Sequence, residues 1–157
     1  MAKYSRLTKE QFEELKEEFI HFLATQTITS KEWKQLKEEQ PKVAEQELDV
    51  FSDLIWEGVL NKTEYLENIS RDHLNLFKTG EGSMSLIVIK ILDPSVDVTQ
   101  EFGLTWLEEH ILSDNVEIFS ATKDYSADRN LDKFNLIKQG AVISKGTLYR
   151  SFSKLIG

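Results

Sequence analysis

Up to about residue 72 the apolar residues recur at helical spacing, first as Phe12, Leu15, Phe19, Phe22 and Leu23 and then as Leu48, Phe51, Ile55 and Val59. Beyond that point they fall into short continuous or alternating runs, such as Leu86-Ile87-Val88-Ile89. The change of period predicts a helical N-terminal segment, residues 1–71, joined to an α/β segment, residues 72–157.

Local signals bound the elements of the first segment. Thr8 is a good N-cap with Gln11 three residues later, and Leu7 and Phe12 stand where a hydrophobic staple would. A helix is predicted from about residue 9 to about residue 26. The same grammar repeats at Thr29 and Glu32, with Ile28 and Trp33 as the staple. This second helix ends near Gln40, because Pro41 disfavours helical geometry in the residue before it. Pro41 can open a third helix, over about residues 42–60. A fourth helical turn is predicted from Thr63 to Ile69.

In the second segment, His73 to Thr79 alternates weakly and Gly80-Glu81-Gly82 reads as a turn. Met84 to Leu92 reads as a strand apolar on both faces, which calls for cover on both. A C-terminal helix is expected on one face and the N-terminal helices on the other, making residues 1–157 one domain. Asp97 or Thr99 is expected to cap a helix to about Leu112, followed by a strand from Val116 to Thr122. That order is compatible with a right-handed parallel crossover. A helix over Asn130 to Gln139 stops at Gly140. The end reads as a hairpin turning at Lys145-Gly146, with a short helix over residues 148–156 as the alternative. The predicted fold class is α+β: three or four helices packed on a small mixed β-sheet with two further helices.

Composition narrows the functional classes. The 40% hydrophobic content of the 157 residues suffices for a packed core. With no cysteine, disulfides and thiolate chemistry are excluded. The start, MAKYSRLTKEQ, has no apolar core of a signal sequence, and no apolar run spans a bilayer, so a cytoplasmic protein without membrane contact is expected. The net charge of −8 is concentrated in residues 1–70. Residues 123–157 carry seven bases against three acids. Within that basic tail, Lys133, Lys138, Lys145, Arg150 and Lys154, with Tyr149 and Phe152, could touch nucleic acid, although the overall charge opposes it.

Catalytic signatures are weak. His21, His73 and His110 form no HExxH pattern and are not spaced as helical metal ligands. The run Thr79-Gly80-Glu81-Gly82-Ser83 lacks the phosphate-loop lysine and leads into a strand rather than a helix. No GxSxG elbow exists. No catalytic residue, metal or cofactor is assigned. An enzyme using carboxylates with His73 or His110, in a cleft between the halves, is kept as an alternative.

The third helix carries the least expected pattern. Glu45, Asp49, Asp53 and Glu57 follow one another at four-residue intervals, with no base between them at that spacing. Like charges so placed cost about 0.2–0.5 kcal/mol per pair. Trp56 and Leu60 project into the same sector. Two readings compete. In one, Trp56 and Leu60 belong to the core and the acids pair with Arg71, Arg129 or Arg150. In the other, Trp56 anchors a protein partner and the acids steer a basic surface towards it. The second reading makes Asp49, Asp53, Trp56, Glu57 and Leu60 a partner-binding surface. The chain would then be a non-enzymatic interaction, regulatory or scaffold module, with a possible homo-oligomer left open.

The segments RLTKEQFEELKEEF, AEQELDVFSDLIWEGVL and FNLIKQGAVISKGTLYR resemble a family of small bacterial cytosolic proteins of unknown function. That resemblance implies a small cytosolic protein and transfers no activity, cofactor or site residue.

Overall fold

The computed structural model describes residues 2–156. The chain divides into two compact units, residues 1–61 and 62–157.

The first unit is helical: α1 (Lys9–Glu14), α2 (Lys16–Thr25), α3 (Ser30–Glu39) and α4 (Pro41–Lys62), whose last residue crosses the boundary. Both predicted caps form. Thr8 Oγ1 accepts the Gln11 N–H at 3.2 Å while Gln11 Oε1 accepts the Thr8 N–H at 2.8 Å. Thr29 Oγ1 accepts the Glu32 N–H at 3.2 Å. The single helix expected over residues 9–26 is instead interrupted at Leu15, whose ψ of 23° leaves the helical region. Across that bend Phe12 and Phe19 both reach the buried ring of Phe51, at centroid distances of 5.9 and 5.0 Å. Phe22 joins at 5.4 Å from Phe51, and Trp33 meets Phe19 edge-on at 5.2 Å. These aromatic pairs are the centre of the unit, and each adds about 0.5–1.5 kcal/mol beyond area burial. Helices α1 and α3 contain no fully buried residue.

The second unit holds β1 (Tyr65–Ser70), β2 (His73–Thr79), β3 (Ser83–Ile91), α5 (Glu101–His110), β4 (Val116–Asp124), α6 (Arg129–Lys138), β5 (Val142–Ser144) and α7 (Thr147–Leu155). The strands form one sheet in the order β4-β3-β2-β1-β5, with every neighbouring pair antiparallel. The α+β class stands, with two corrections to the sheet. It is not mixed, and β3 to β4 is no parallel crossover: α5 returns the chain so that Ile91 pairs with Val116 and Ser83 with Asp124. The turn expected at 63–69 is strand β1, where Leu66 is buried against its antiparallel partners. Six residues of weak alternation become a strand once two neighbours supply their ladder bonds.

One sheet face carries Leu74, Leu76, Ile87, Ile89 and Ile91. It packs with Val96, Val98, Leu107, Ile111 and Phe152 into one buried cluster. The cover of these isoleucines comes from α5 and α7 of the same unit. Helix α5 is capped at Gln100 rather than Asp97 or Thr99, since Asp97 Oδ1 accepts the Thr99 N–H at 3.0 Å in a turn of its own. At the C-terminus the helical alternative holds: α7 buries Phe152 in the cluster. Along the other sheet face, Asn135 and Leu136 of α6 line a pocket with Phe77, Met84 and Leu86.

Candidate functional site

The acidic face of α4 is filled from within its own unit. Asp53 accepts the backbone N–H groups of Lys3 and Tyr4, at 2.8 and 3.0 Å on its two oxygens. The Tyr4 hydroxyl donates to Glu57, and Lys3 Nζ stands 3.6 Å from the same carboxylate. Arg6 grips Asp49 through Nε at 2.7 Å and a second nitrogen at 3.2 Å. The Trp56 indole N–H donates to the Ser5 carbonyl at 3.1 Å. Deeper in, Ser52 Oγ accepts the Leu7 N–H at 3.0 Å and donates to the Leu48 carbonyl at 2.7 Å. Residues 3–7 thus form a strap along α4, and Tyr4 and Leu7 are buried beneath it.

Electrostatics follow the contacts. Hydrogen bonding to Arg6 lowers the Asp49 pKa, and the same pair raises that of Arg6. Burial, then the bond to Glu57, raises the Tyr4 phenol to about 12. Four like-charged side chains in a row are tolerable on α4 because Arg6 pairs with Asp49, Lys3 stands by Glu57, and two backbone N–H groups bond Asp53.

Of the five residues anticipated as a partner surface, Asp49, Asp53, Trp56 and Glu57 all contact this strap, and Leu60 is fully buried. Arg71 donates to the Pro94 carbonyl, and Arg150 donates to the Lys145 carbonyl and lies over the Tyr65 ring. The basic tail also loses members as a surface. Lys133 is 1% exposed and donates to the Thr63 carbonyl at 2.8 Å, and Phe152 is in the core.

Among the described residues, neither His73 nor His110 joins two acids in one cluster. His73 Nδ1 sits 2.8 Å from Asp72 on the surface. The ring of His110 stacks on Trp106 at 4.4 Å, and its Nδ1 lies 2.7 Å from the Trp106 carbonyl. Among the described residues, no group of three or more metal-ligating side chains converges. Among the described residues, too, no helix is long and apolar enough to cross a membrane.

Sequence reasoning missed a groove of about 550 Å³ between the helices of the first unit. Its floor and walls are apolar, with Leu7, Phe12, Phe19, Ile20, Leu23 and Trp33 among them. Its rim is basic: Arg6, Lys9, Lys16, Lys34 and Lys37 line it against one acid, Glu13. The signal was present as spacing. Lys9 and Lys16 lie two turns apart on either side of Phe12, and Lys34 and Lys37 lie one turn apart beside Trp33. Lys37 holds its ammonium 5.9 Å from the Trp33 ring.

A family profile matches residues 1–157. The chain belongs to DUF6495, a family of unknown function. The unknown-function family expected from three segments therefore extends over the whole chain. No curated protein and no solved structure matches it.

Proposed function

We propose that this chain is a protein-interaction module whose groove in the helical unit receives an acidic amphipathic helix of a partner protein. The observation that carries the reading is the basic rim. A chain with a net charge of −8 sets four lysines against one acid around its apolar groove, beside an Arg6 already paired with Asp49. An amphipathic helix lays one apolar stripe into such a groove, and its flanking acids would meet Lys9, Lys16, Lys34 and Lys37. Apolar burial supplies affinity, while the lysines set orientation and rate of encounter.

The test uses two synthetic helical peptides with the same apolar stripe, one flanked by glutamates and one by lysines, titrated into the full chain by NMR. The glutamate peptide should shift the signals of Phe12, Phe19 and Trp33 saturably, weaken with salt, and weaken again in Lys34→Glu/Lys37→Glu. Equal binding of both peptides, or shifts elsewhere only, defeats the reading.

The acidic face of α4 is a second candidate surface on one specific ground. It already binds a short basic segment, residues 3–6, through Asp49, Asp53, Trp56 and Glu57. A partner peptide with a like arrangement of bases and tyrosine would compete for those groups. A synthetic peptide of residues 2–8 added to a chain lacking them should restore its stability, and failure to do so removes this second surface.

A further inference from the structure

The longest exposed strand in the sheet unit is at its edge. β4 spans nine residues and pairs on one side only, with β3. Edge strands are ordinarily blunted by proline, by a bulge, by shortness or by central charge. β4 has none of these. Its register with β3 runs unbroken from Val116 to Asp124, and Ile118-Phe119-Ser120-Ala121-Thr122 is uncharged. Phe119 is 62% exposed. The opposite edge, β5, is only three residues long.

The ladder shows which groups of β4 turn outward. The β2–β3 hairpin is closed by the Gly80 N–H bonding to the Ser83 carbonyl at 3.0 Å. Hydrogen-bonded and non-bonded pairs alternate from there, so the even-numbered residues of β3 turn their backbone towards β4. The Leu92 N–H bonds to the Asn115 carbonyl at 2.8 Å, in the same phase. Through the register, Glu117, Phe119, Ala121 and Lys123 bond β3. Ile118, Ser120, Thr122 and Asp124 then present their N–H and C=O groups to the open side, whereas the Val116 N–H is taken by the Ser113 carbonyl at 3.3 Å.

Charge along the strand is self-complementary. If a second β4 pairs antiparallel about a two-fold axis at Ser120, outward-bonding residues meet outward-bonding residues, as the ladder requires. In that register Glu117 falls opposite Lys123 of the other copy, and the pair occurs twice. Both pairs lie at non-bonded positions, where facing side chains are closest. Phe119 falls opposite Ala121, and the two Phe119 rings sit on the same face in diagonal reach of each other. Moving the axis to Phe119 or Ala121 loses both ion pairs.

We infer that β4 is a self-association edge: two copies of this chain join their sheets through antiparallel β4 strands centred on Ser120, fixed in register by reciprocal Glu117–Lys123 pairs. The partner is a second copy of this chain. The site is separate from the groove of the helical unit and stands or falls without it.

The test is the mass of the full chain by analytical ultracentrifugation over a wide concentration range. The wild-type chain should pass from monomer to dimer. Ser120→Pro removes an outward N–H while leaving the bonds to β3, and should weaken the dimer by about a hundredfold or more. Lys123→Glu should weaken it by about tenfold, and Glu117→Lys/Lys123→Glu should restore wild-type association. The restoration is specific to this register and does not depend on the proline variant folding. A wild-type chain that stays monomeric at NMR concentrations overturns the inference. So does a dimer that Lys123→Glu leaves unchanged, or one that the double exchange fails to rescue.

Discussion

The two units are held together by different means. In the sheet unit ten buried residues close one dry cluster over a hydrogen-bonded ladder. In the helical unit the interior is a set of half-exposed aromatic rings around Phe51, and an N-terminal strap is fastened to α4 by polar contacts. Apolar burial is insensitive to pH and salt, whereas charged contacts at a surface are sensitive to both. The comparison teaches that the helical unit is the tunable one. Its groove wall, α1, begins at the end of the strap, so whatever loosens residues 3–7 also loosens one side of the groove.

The sharpest way to break this contrast is to cut each unit at its own fastening. Phe152→Ala empties a fully buried site and should cost about 3–5 kcal/mol, read by urea denaturation followed at sheet-unit amides. Gly103→Ala should cost a similar amount by another route, since its new Cβ would lie 1.8 Å from the Asp97 carbonyl oxygen, a backbone atom that cannot swing aside. In the helical unit, Ser52→Ala leaves the buried Leu7 N–H without its acceptor and should cost about 1–3 kcal/mol. If Ser52→Ala proves as costly as Phe152→Ala, the strap is part of a core and the contrast fails.

Acid and base should sharpen it further. Asp49 has its pKa lowered in the folded chain, so its contribution is present above the ordinary aspartate value and is lost as pH falls through the lowered one. Tyr4 is raised from 10.0 to about 12, so its contribution is complete below about 10 and is lost as pH rises through about 12. The unfolding free energy of the helical unit, read by urea denaturation at fixed pH values, should therefore fall at both extremes. Tyr4→Phe should remove the alkaline limb alone; a limb that persists assigns it elsewhere.

The smallest effect compares two helix ends of identical design. After α2 the Ile28 N–H bonds to the Leu23 carbonyl and the Thr27 N–H to that of Ala24, with Thr27 at φ 59°. After α6 the Ala141 N–H bonds to the Leu136 carbonyl and the Gly140 N–H to that of Ile137, with Gly140 at φ 110°. Both are left-handed stops, but only one uses glycine. Thr27→Gly should stabilise the helical unit by about 1 kcal/mol, and Gly140→Ala should destabilise the sheet unit by about 1–2 kcal/mol. Thermal melts of the two variants check the opposite signs.

Much of the fold was legible because it is decided within a few residues. Thr8, Thr29, Pro41 and Gly140 bound their helices where expected, since caps act over three or four positions. The strand expected over Met84 to Leu92 announced itself as an apolar run after the glycine turn and is found at Ser83–Ile91, while His73–Thr79 signalled itself only by weak alternation. The candidate site was only half legible. The acid row at Asp49, Asp53 and Glu57 stands out in the sequence, yet its occupant lies some fifty residues earlier, and spacing along one helix carries no information about a segment that far away.

By itself, then, the sequence determined a helical part followed by a sheet-bearing part, the helix ends at Thr8, Thr29, Pro41 and Gly140, and the absence of thiol chemistry, all matters of local geometry or composition. Only the tertiary structure decided that the acid row is an internal fastening, that YLENIS is a strand, that Lys133 is inside, and that every strand runs antiparallel. Each of these depends on which distant groups share a face, and that is settled when long-range burial and ladder bonds are satisfied together.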